Sequence, residues 1–301
     1  MILKKILEEI DKIGKFQTIE KLHNLFSESN DRKLRREILE ALNELKDNKH
    51  FEKFEYYFLS DEDIEVRIEA AKILTFYYPK KKVIRPLIWV FENEENNLIK
   101  FTALRLLTVL GFNNEYTEII KKKLLKSLKS NDMKLVQEAA EALGILREKT
   151  AVNDLIEALK ILNHQVRIKI IQALGEIKDE RAVPYLLELL ASARLDIWRF
   201  SFEALRKILG NKVNKYIIEK LISAQSDPKN VDKGFLRKGT IKALGELKDK
   251  NAVKIIIKAL GDYFYWVRWE AADALDKIEP NWREKYKNLL YKYNIPKNSK
   301  K

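Results

Sequence analysis

The feature that most constrains this chain is a leucine held in register. With the apolar residue of Val166–Arg167 as a mark, equivalent marks fall at Leu34, Val66, Ile99, Leu135, Ile197, Leu236 and Val267. In order along the chain they stand 32, 33, 36, 31, 31, 39 and 31 residues apart. Eight residues beyond them come Leu42, Leu74, Leu107, Leu143, Leu174, Leu205, Leu244 and Leu275. Four residues beyond, a small side chain often appears: Ala70, Ala103, Ala139, Ser201 and Ala271, with Thr240 slightly larger. The segment 164–190 shows what one period contains. Val166, Ile170, Ala173, Leu174 and Ile177 recur at steps of three and four, a stripe down one helix face, and Val183, Leu186, Leu187 and Leu190 make a second stripe. Between them Gly175 and Lys178 are expected to loosen the helix end and Asp179 to cap the next helix, while Pro184 is tolerable in a first turn whose N–H groups lack intrahelical partners. A helical hairpin cannot bury both stripes alone, and stacking on copies of itself is the remedy. The register therefore predicts an all-α solenoid of about eight helix pairs.

At this point the chain resembles the HEAT repeats, specifically the short HEAT-like repeats of the phycobilisome-lyase type, whose consensus reads roughly V-R-x-x-A-x-x-A-L-G-x-[IL]-x-D-x-x-A-[VI]-x-x-L. The segments VRIKIIQALGEIKDERAVPYLLELL from Val166, LRKGTIKALGELKDKNAVKIIIKAL from Leu236 and VRWEAADALDKI from Val267 carry it best. The resemblance spans roughly Phe16 to Ile278, is strongest after Leu135, and speaks to fold far more than to function. It implies a right-handed superhelix with the second helix of each pair lining the concave face.

Composition and punctuation fit stacked units. A solenoid of 301 residues needs no single core, because each unit packs on its neighbours. With 9 Gly and 6 Pro there are few breakers, and with no Cys there is neither a disulfide framework nor a thiolate metal site. The start MILKKILEEIDKIGK carries charges where a signal peptide needs an apolar run, and no stretch approaches the roughly 18 apolar residues of a membrane span, so a cytoplasmic monomer is expected. The expected organisation is an N-terminal capping helix at 1–15, with Ile2, Leu3, Ile6, Leu7, Ile10 and Ile13 on one side. Repeats come next at 16–279 with an insertion at 224–234, then a C-terminal capping helix at 280–294 and a basic tail at 295–301. First helices are expected from near Phe16, His50, Val83, Tyr116, Ala151, Ala182, Val213 and Ala252. Asp31, Asp63 and Asp132, each three residues before its mark, are expected N-caps.

Two rows bear on function. The residue after the mark is basic in six of eight units, Arg35, Arg67, Lys100, Arg167, Arg237 and Arg268, with Val136 and Trp198 as exceptions. It is expected to be structural, pairing with adjacent turns. Positions two, three and six beyond the mark lie off the apolar stripe and should face the groove. The first holds Arg36, Ile68, Phe101, Gln137, Ile168, Arg199, Lys238 and Trp269, so apolar residues stand on a face that would otherwise be wet. The run Tyr263–Phe264–Tyr265–Trp266–Val267–Arg268–Trp269 cannot be hidden by one stripe. Residues 201–301 hold 23 basic and 12 acidic side chains, which is +11 of the net +13. Basic and aromatic residues thus coincide in the last repeats, with Arg199, Lys233, Arg237, Lys238 and Lys242 expected near the groove.

Chemistry is poorly represented. His23, His50 and His164 are isolated in sequence, without metal-ligand spacing, phosphate loop or cysteine nucleophile, so neither metal nor cofactor is expected. This argues against the iron-binding hydroxylases built from related repeats. Trp269 and Asp273, four apart, are loosely similar to the aromatic-plus-aspartate pair of HEAT-like alkylpurine DNA glycosylases, a distant alternative. The leading expectation is a non-catalytic scaffold binding a macromolecular partner, a protein, in its concave groove. The runner-up is nucleic-acid binding by the basic, aromatic C-terminal repeats. Partner contact is expected at Arg199, Lys238, Lys242, Tyr265, Trp266 and Trp269.

Overall fold

A computed structural model describes residues 2–110 and 117–293, all-α among the described residues and divided into two compact units, Met1–Leu124 and Leu125–Lys301. In the first unit, α1 (Ile2–Glu8) and α2 (Ile10–Ile13) lie against α3 (Lys15–Glu28). The apolar stripe of 2–13 is thus two short helices rather than one, broken at Glu9 and closed by Gly14 at φ +83°. Then come α4 (Arg32–Glu44), α5 (Phe51–Ser60), α6 (Ile64–Tyr77), α7 (Lys80–Asn93) and α8 (Asn97–Leu110). They pack as pairs α3–α4, α5–α6 and α7–α8, with the second helices in series, α4 on α6 and α6 on α8. Tyr116, an expected helix start, lies outside the described residues; α9 (Thr117–Ser127) begins just after it.

The second unit continues with α10 (Met133–Ile145), α11 (Val152–Ala158), α12 (His164–Ile177), α13 (Val183–Glu188), α14 (Leu195–Leu209), α15 (Val213–Ala224), α16 (Val231–Leu247), α17 (Val253–Ala259) and α18 (Tyr265–Ile278). It closes with α19 (Trp282–Lys285) and α20 (Lys287–Lys292), where the sequence suggests one helix from Pro280. Trp282 is fully buried there, its indole donating to Asp276 at 2.6 Å. The basic tail at 295–301 lies outside the described residues.

The register explains the packing. All eight leucines are buried, none more than 2% exposed, and so is every residue four beyond a mark, Ile38 and Ile170 included. Asp31, Asp63 and Asp132 cap α4, α6 and α10, each accepting from the N–H groups two and three residues on. Twelve residues beyond four of the marks, Lys46, Arg147, Lys178 and Lys248 take the left-handed conformation, φ +50° to +58°. The next residue in each case is an acid, Asp47, Glu148, Asp179 or Asp249, which accepts from the N–H two residues on at 2.9–3.0 Å.

Gly175 does not loosen α12. It lies within the helix, and a Cβ there would stand 3.0 Å from the Cα of Ala204 on α14. Gly144 faces Ala173, and Gly245 faces Ala274, at 2.8 and 2.9 Å in the same way. Each glycine stands nine residues beyond one mark and meets the alanine seven beyond the next, so these second helices touch backbone to backbone.

The basic row is structural where its contacts are seen. Arg35 pairs with Asp61 at 3.2 Å, Arg67 with Glu94, and Arg237 with Asp262 at 2.6 Å. In each case the acid stands five residues before the next mark and also accepts from the backbone N–H two residues on. One carboxylate thereby ties two repeats and sets the next helix entry. After Val136 and Trp198, the equivalent acid positions hold Ile161 and Val231.

Arg237 is the extreme member. Expected near the groove, it is instead buried, holding both oxygens of Asp262 and donating to the carbonyls of Ala224, Asp227 and Pro228. It therefore clamps the inserted segment, of which only 225–230 is non-helical; from Val231 the chain already belongs to α16. Successive second helices pack α10 on α12, α12 on α14 and α16 on α18, but between α14 and α16 the pattern changes. The turn Leu189–Ala191 lies against α16, so close that a Cβ on Gly239 would stand 1.7 Å from the Leu190 carbonyl oxygen. Trp198, buried, bridges to α16 by donating to the Gly239 carbonyl at 3.0 Å.

Two outcomes are expected from this packing. Leu174→Ala and Leu244→Ala should each lower unfolding free energy by about 2–5 kcal/mol, through lost burial and the cavity left behind, read from urea unfolding curves. Arg237→Ala, which strands the buried Asp262, should cost about 3–5 kcal/mol and open 225–230 to limited proteolysis. Arg237→Lys should recover little of this, because an ammonium cannot span the same fork of acceptors.

Candidate functional site

Helices α14, α16 and α18 present the expected contact residues of the second unit. On α18, Tyr265 and Trp269 stand one turn apart, 51% and 52% exposed, with rings in edge-to-face contact at 4.9 Å. Trp266 between them turns inward. Its ring stacks on Phe264 at 4.5 Å and on Phe235 of α16 at 5.8 Å, with interplanar angles of 17° and 18°. Its indole N–H is buried and has no hydrogen-bond partner among the described residues. The aromatic run therefore divides: Tyr263, Tyr265 and Trp269 are exposed, Phe264 and Val267 are core, and Trp266 joins the two. Phe235, exposed beside this stack, escapes sequence reasoning, because a lone aromatic carries no periodic signal.

The lysines are less available than composition suggests. Lys238 and Lys242 on α16 are half-buried, and the Lys242 ammonium lies 4.5 Å from the centre of the Trp198 ring. Glu270 of α18 faces both lysines. Burial pushes its carboxyl above the ordinary range, and the two nearby ammonium groups oppose that shift. Arg199 is exposed, its guanidinium 4.9 Å from the Phe200 ring centre, and with Arg194, Leu195 and Asp196 it lines a shallow cleft of about 470 Å³. A larger cleft of about 740 Å³ lies between the end of α14, the start of α15 and Leu247 at the end of α16, with Glu203, Arg206, Lys207, Asn211 and Asn214 in its lining. Asp273, the residue suggesting glycosylase chemistry, is ion-paired with Lys277 at 2.8 Å.

Other expected groove residues behave differently. Phe101 and Ile168 are buried and Ile68 is half-buried, so the apolar residues two beyond these marks fill space between helices instead of standing wet.

The first unit corrects the view of isolated histidines. His23 from α3 and His50, just before α5, converge on Asp47 in the turn after α4. His23 Nε2 lies 2.8 Å from Asp47 Oδ2, and His50 Nδ1 lies 2.9 Å from the same oxygen. The outer nitrogens are also held, His23 Nδ1 by the Tyr57 hydroxyl at 3.0 Å and His50 Nε2 by Glu20 at 2.7 Å. His23 and Asp47 are buried and His50 sits at the edge. Burial lowers the His23 pKa against the pull of Asp47. At Asp47 burial acts upward, but bonds from His23, the Lys49 N–H and His50 outweigh it and hold the carboxyl at about 2. Burial raises the Tyr57 phenol to about 12. Sequence spacing could not show this cluster because His23 of α3 meets Asp47 and His50 of the α4–α5 turn only through packing. His164, on the second unit, is half-buried and stands apart from this cluster.

No helix of the described residues is long and apolar enough to cross a membrane. No curated protein matches the chain in sequence. Among solved structures it is similar to the complex of CpcE and CpcF of phycocyanin lyase from Nostoc sp. PCC7120, with 20% identity over 81% of this chain and 94% of that one, TM-score 0.45. It is also similar to YibA from E. coli, with 18% identity over 88% of this chain and 96% of that one, TM-score 0.49. The family model for HEAT repeats matches residues 121–206 and 218–292, more than half of the sequence. That match covers the glycine–alanine contacts and most of the repeat register described above, and the chain belongs to the HEAT-repeat family.

Proposed function

We propose that the chain is a binding scaffold whose C-terminal repeats hold a partner protein on the face formed by α16 and α18. The observation that carries this reading is the Tyr265–Trp269 pair, half-exposed and backed by the Phe235–Trp266–Phe264 stack. Large rings held by packing lose little conformational freedom on binding, which is why aromatic side chains dominate binding hot spots. Lys238 and Lys242 of the neighbouring α16 each face Glu270 of α18, and Lys242 also covers Trp198. Such partly compensated cations neutralise fewer phosphates, which weakens a nucleic-acid backbone contact and leaves the rings as the main contact for a protein segment. Arg199 adds an exposed cation on α14.

The experiment is affinity capture from native lysate at two salt concentrations, then titration of the recovered partner with wild type and variants. Trp269→Ala or Tyr265→Ala should cost about 2 kcal/mol or more of binding. Exchanging Lys238 and Lys242 for Glu should chiefly slow association and alter its salt dependence. Nucleic-acid binding predicts another pattern: with about four phosphates neutralised, a log–log salt slope of roughly −3 to −4 and similar loss on every sequence. That slope, with wild-type affinity retained by the aromatic variants, would overturn the protein reading.

A further inference from the structure

We propose that His23, Asp47 and His50 form a binding site for one divalent transition-metal ion of the zinc class. Nothing in the aromatic face of the second unit bears on it, so the two readings stand or fall separately. One potential ligand atom from each residue lies within 4.8 Å of the others, His23 coming from α3 and both Asp47 and His50 from the α4–α5 turn. Two imidazole nitrogens and one carboxylate oxygen suit Zn²⁺ or Co²⁺; Mg²⁺ and Ca²⁺ prefer oxygen ligands throughout.

The surrounding groups are those a metal site needs. A metal-bound imidazole keeps its orientation when its other nitrogen is hydrogen-bonded to a carboxylate or another oxygen. Here Glu20 holds His50 Nε2, Lys53 in turn holds Glu20 at 3.3 Å, and Tyr57 holds His23 Nδ1. The hydroxyl of Tyr57 can donate or accept. His23 can therefore carry its proton on Nδ1 and offer the Nε2 lone pair inward without orphaning any buried polar atom. Asp47 is fixed by the Lys49 N–H at 3.0 Å.

The repeat register sharpens the point. Asp179, the equivalent of Asp47, is bound by the Arg181 guanidinium at 2.8 Å. At Asp47 the side chains in that role are two imidazoles, both metal-ligating. Ligands on a tetrahedral Zn²⁺ stand about 3.3 Å apart. The observed separations of 2.8–3.0 Å between the histidine nitrogens and Asp47 need to open by only a few tenths of an ångström, while the two histidine nitrogens, within 4.8 Å of each other, draw in around the ion. His50 lies at the edge of the cluster, so the remaining coordination position falls to water on that side.

The test uses the full chain without an affinity tag, titrated with Co²⁺ by visible absorption and with Zn²⁺ by calorimetry. The expected result is one equivalent bound, with the intense ligand-field band of four-coordinate Co²⁺. His50→Gln should weaken Zn²⁺ at least about 10-fold, and Glu20→Gln, which removes only the outer hydrogen bond, by about 10–100-fold. His164→Gln should change nothing. Circular dichroism and thermal unfolding confirm that the variants fold, and both mutated groups lie at the edge of the cluster, where substitution leaves the core intact. Absence of the Co²⁺ band and of stoichiometric heat, or equal Zn²⁺ affinity in wild type and His50→Gln, means the cluster is a hydrogen-bond network alone and overturns the proposal.

Discussion

The contact on which the second unit depends is the meeting of a glycine on one second helix with an alanine on the next. At Gly144–Ala173, Gly175–Ala204 and Gly245–Ala274 even a methyl on the glycine would crowd the facing alanine, so neighbouring helices approach at backbone distance. The leucine rows beside these contacts are removed from water, the dominant source of stability in a stack that has no central core. In the first unit the equivalent positions are Asn43, Thr75 and Thr108. The two threonines return their hydroxyls to the carbonyls of Ala71 and Leu104, at 2.8 and 2.9 Å, making side chains that are polar by composition fit a buried seam. The family match begins at residue 121, beyond most of that unit.

Where α14 gives way to α16 the seam is replaced by other devices, and the candidate site lies beside this change. Trp198 stands where most repeats carry a basic residue and reaches across to Gly239. Arg237 spends its whole guanidinium on Asp262 and three carbonyls at the inserted segment. The same register position thus performs opposite tasks in successive repeats, one apolar and bridging, the other charged and clamping. Lys242 settles over the Trp198 ring as a consequence, so a cation expected in open solvent is tied to the scaffold. What remains outward on α18 is aromatic, and the proposed partner contact rests on that surface.

Buried polarity is handled in two ways. At Asp61, Glu94 and Asp262, an acid five residues before a mark meets an arginine of the preceding repeat. Asp47, by contrast, is met by His23 and His50, with Tyr57 and Glu20 behind them. Imidazoles exchange a proton or a metal ion within a fixed ring, which a guanidinium cannot do, and the proposed metal site rests on that difference.

The sequence by itself determined the repeat, its period, the buried leucine in every unit, the aspartate caps and the structural character of the basic row. All of these depend on interactions within one helix or between adjacent helices, which periodicity encodes directly. The tertiary structure decided which off-stripe residues are wet. Phe101 and Ile168 fill gaps, Arg237 is buried, Trp266 is half-hidden between Phe235 and Phe264, and Tyr265 and Trp269 emerge as an exposed pair. It also decided that His23 and His50 meet. The physical reason is common to both: exposure and convergence depend on how far apart neighbouring helices stand and on which way each loop turns. Those quantities are set by contacts between side chains 24 or more residues apart, such as His23 and Asp47, and they leave no period in the sequence.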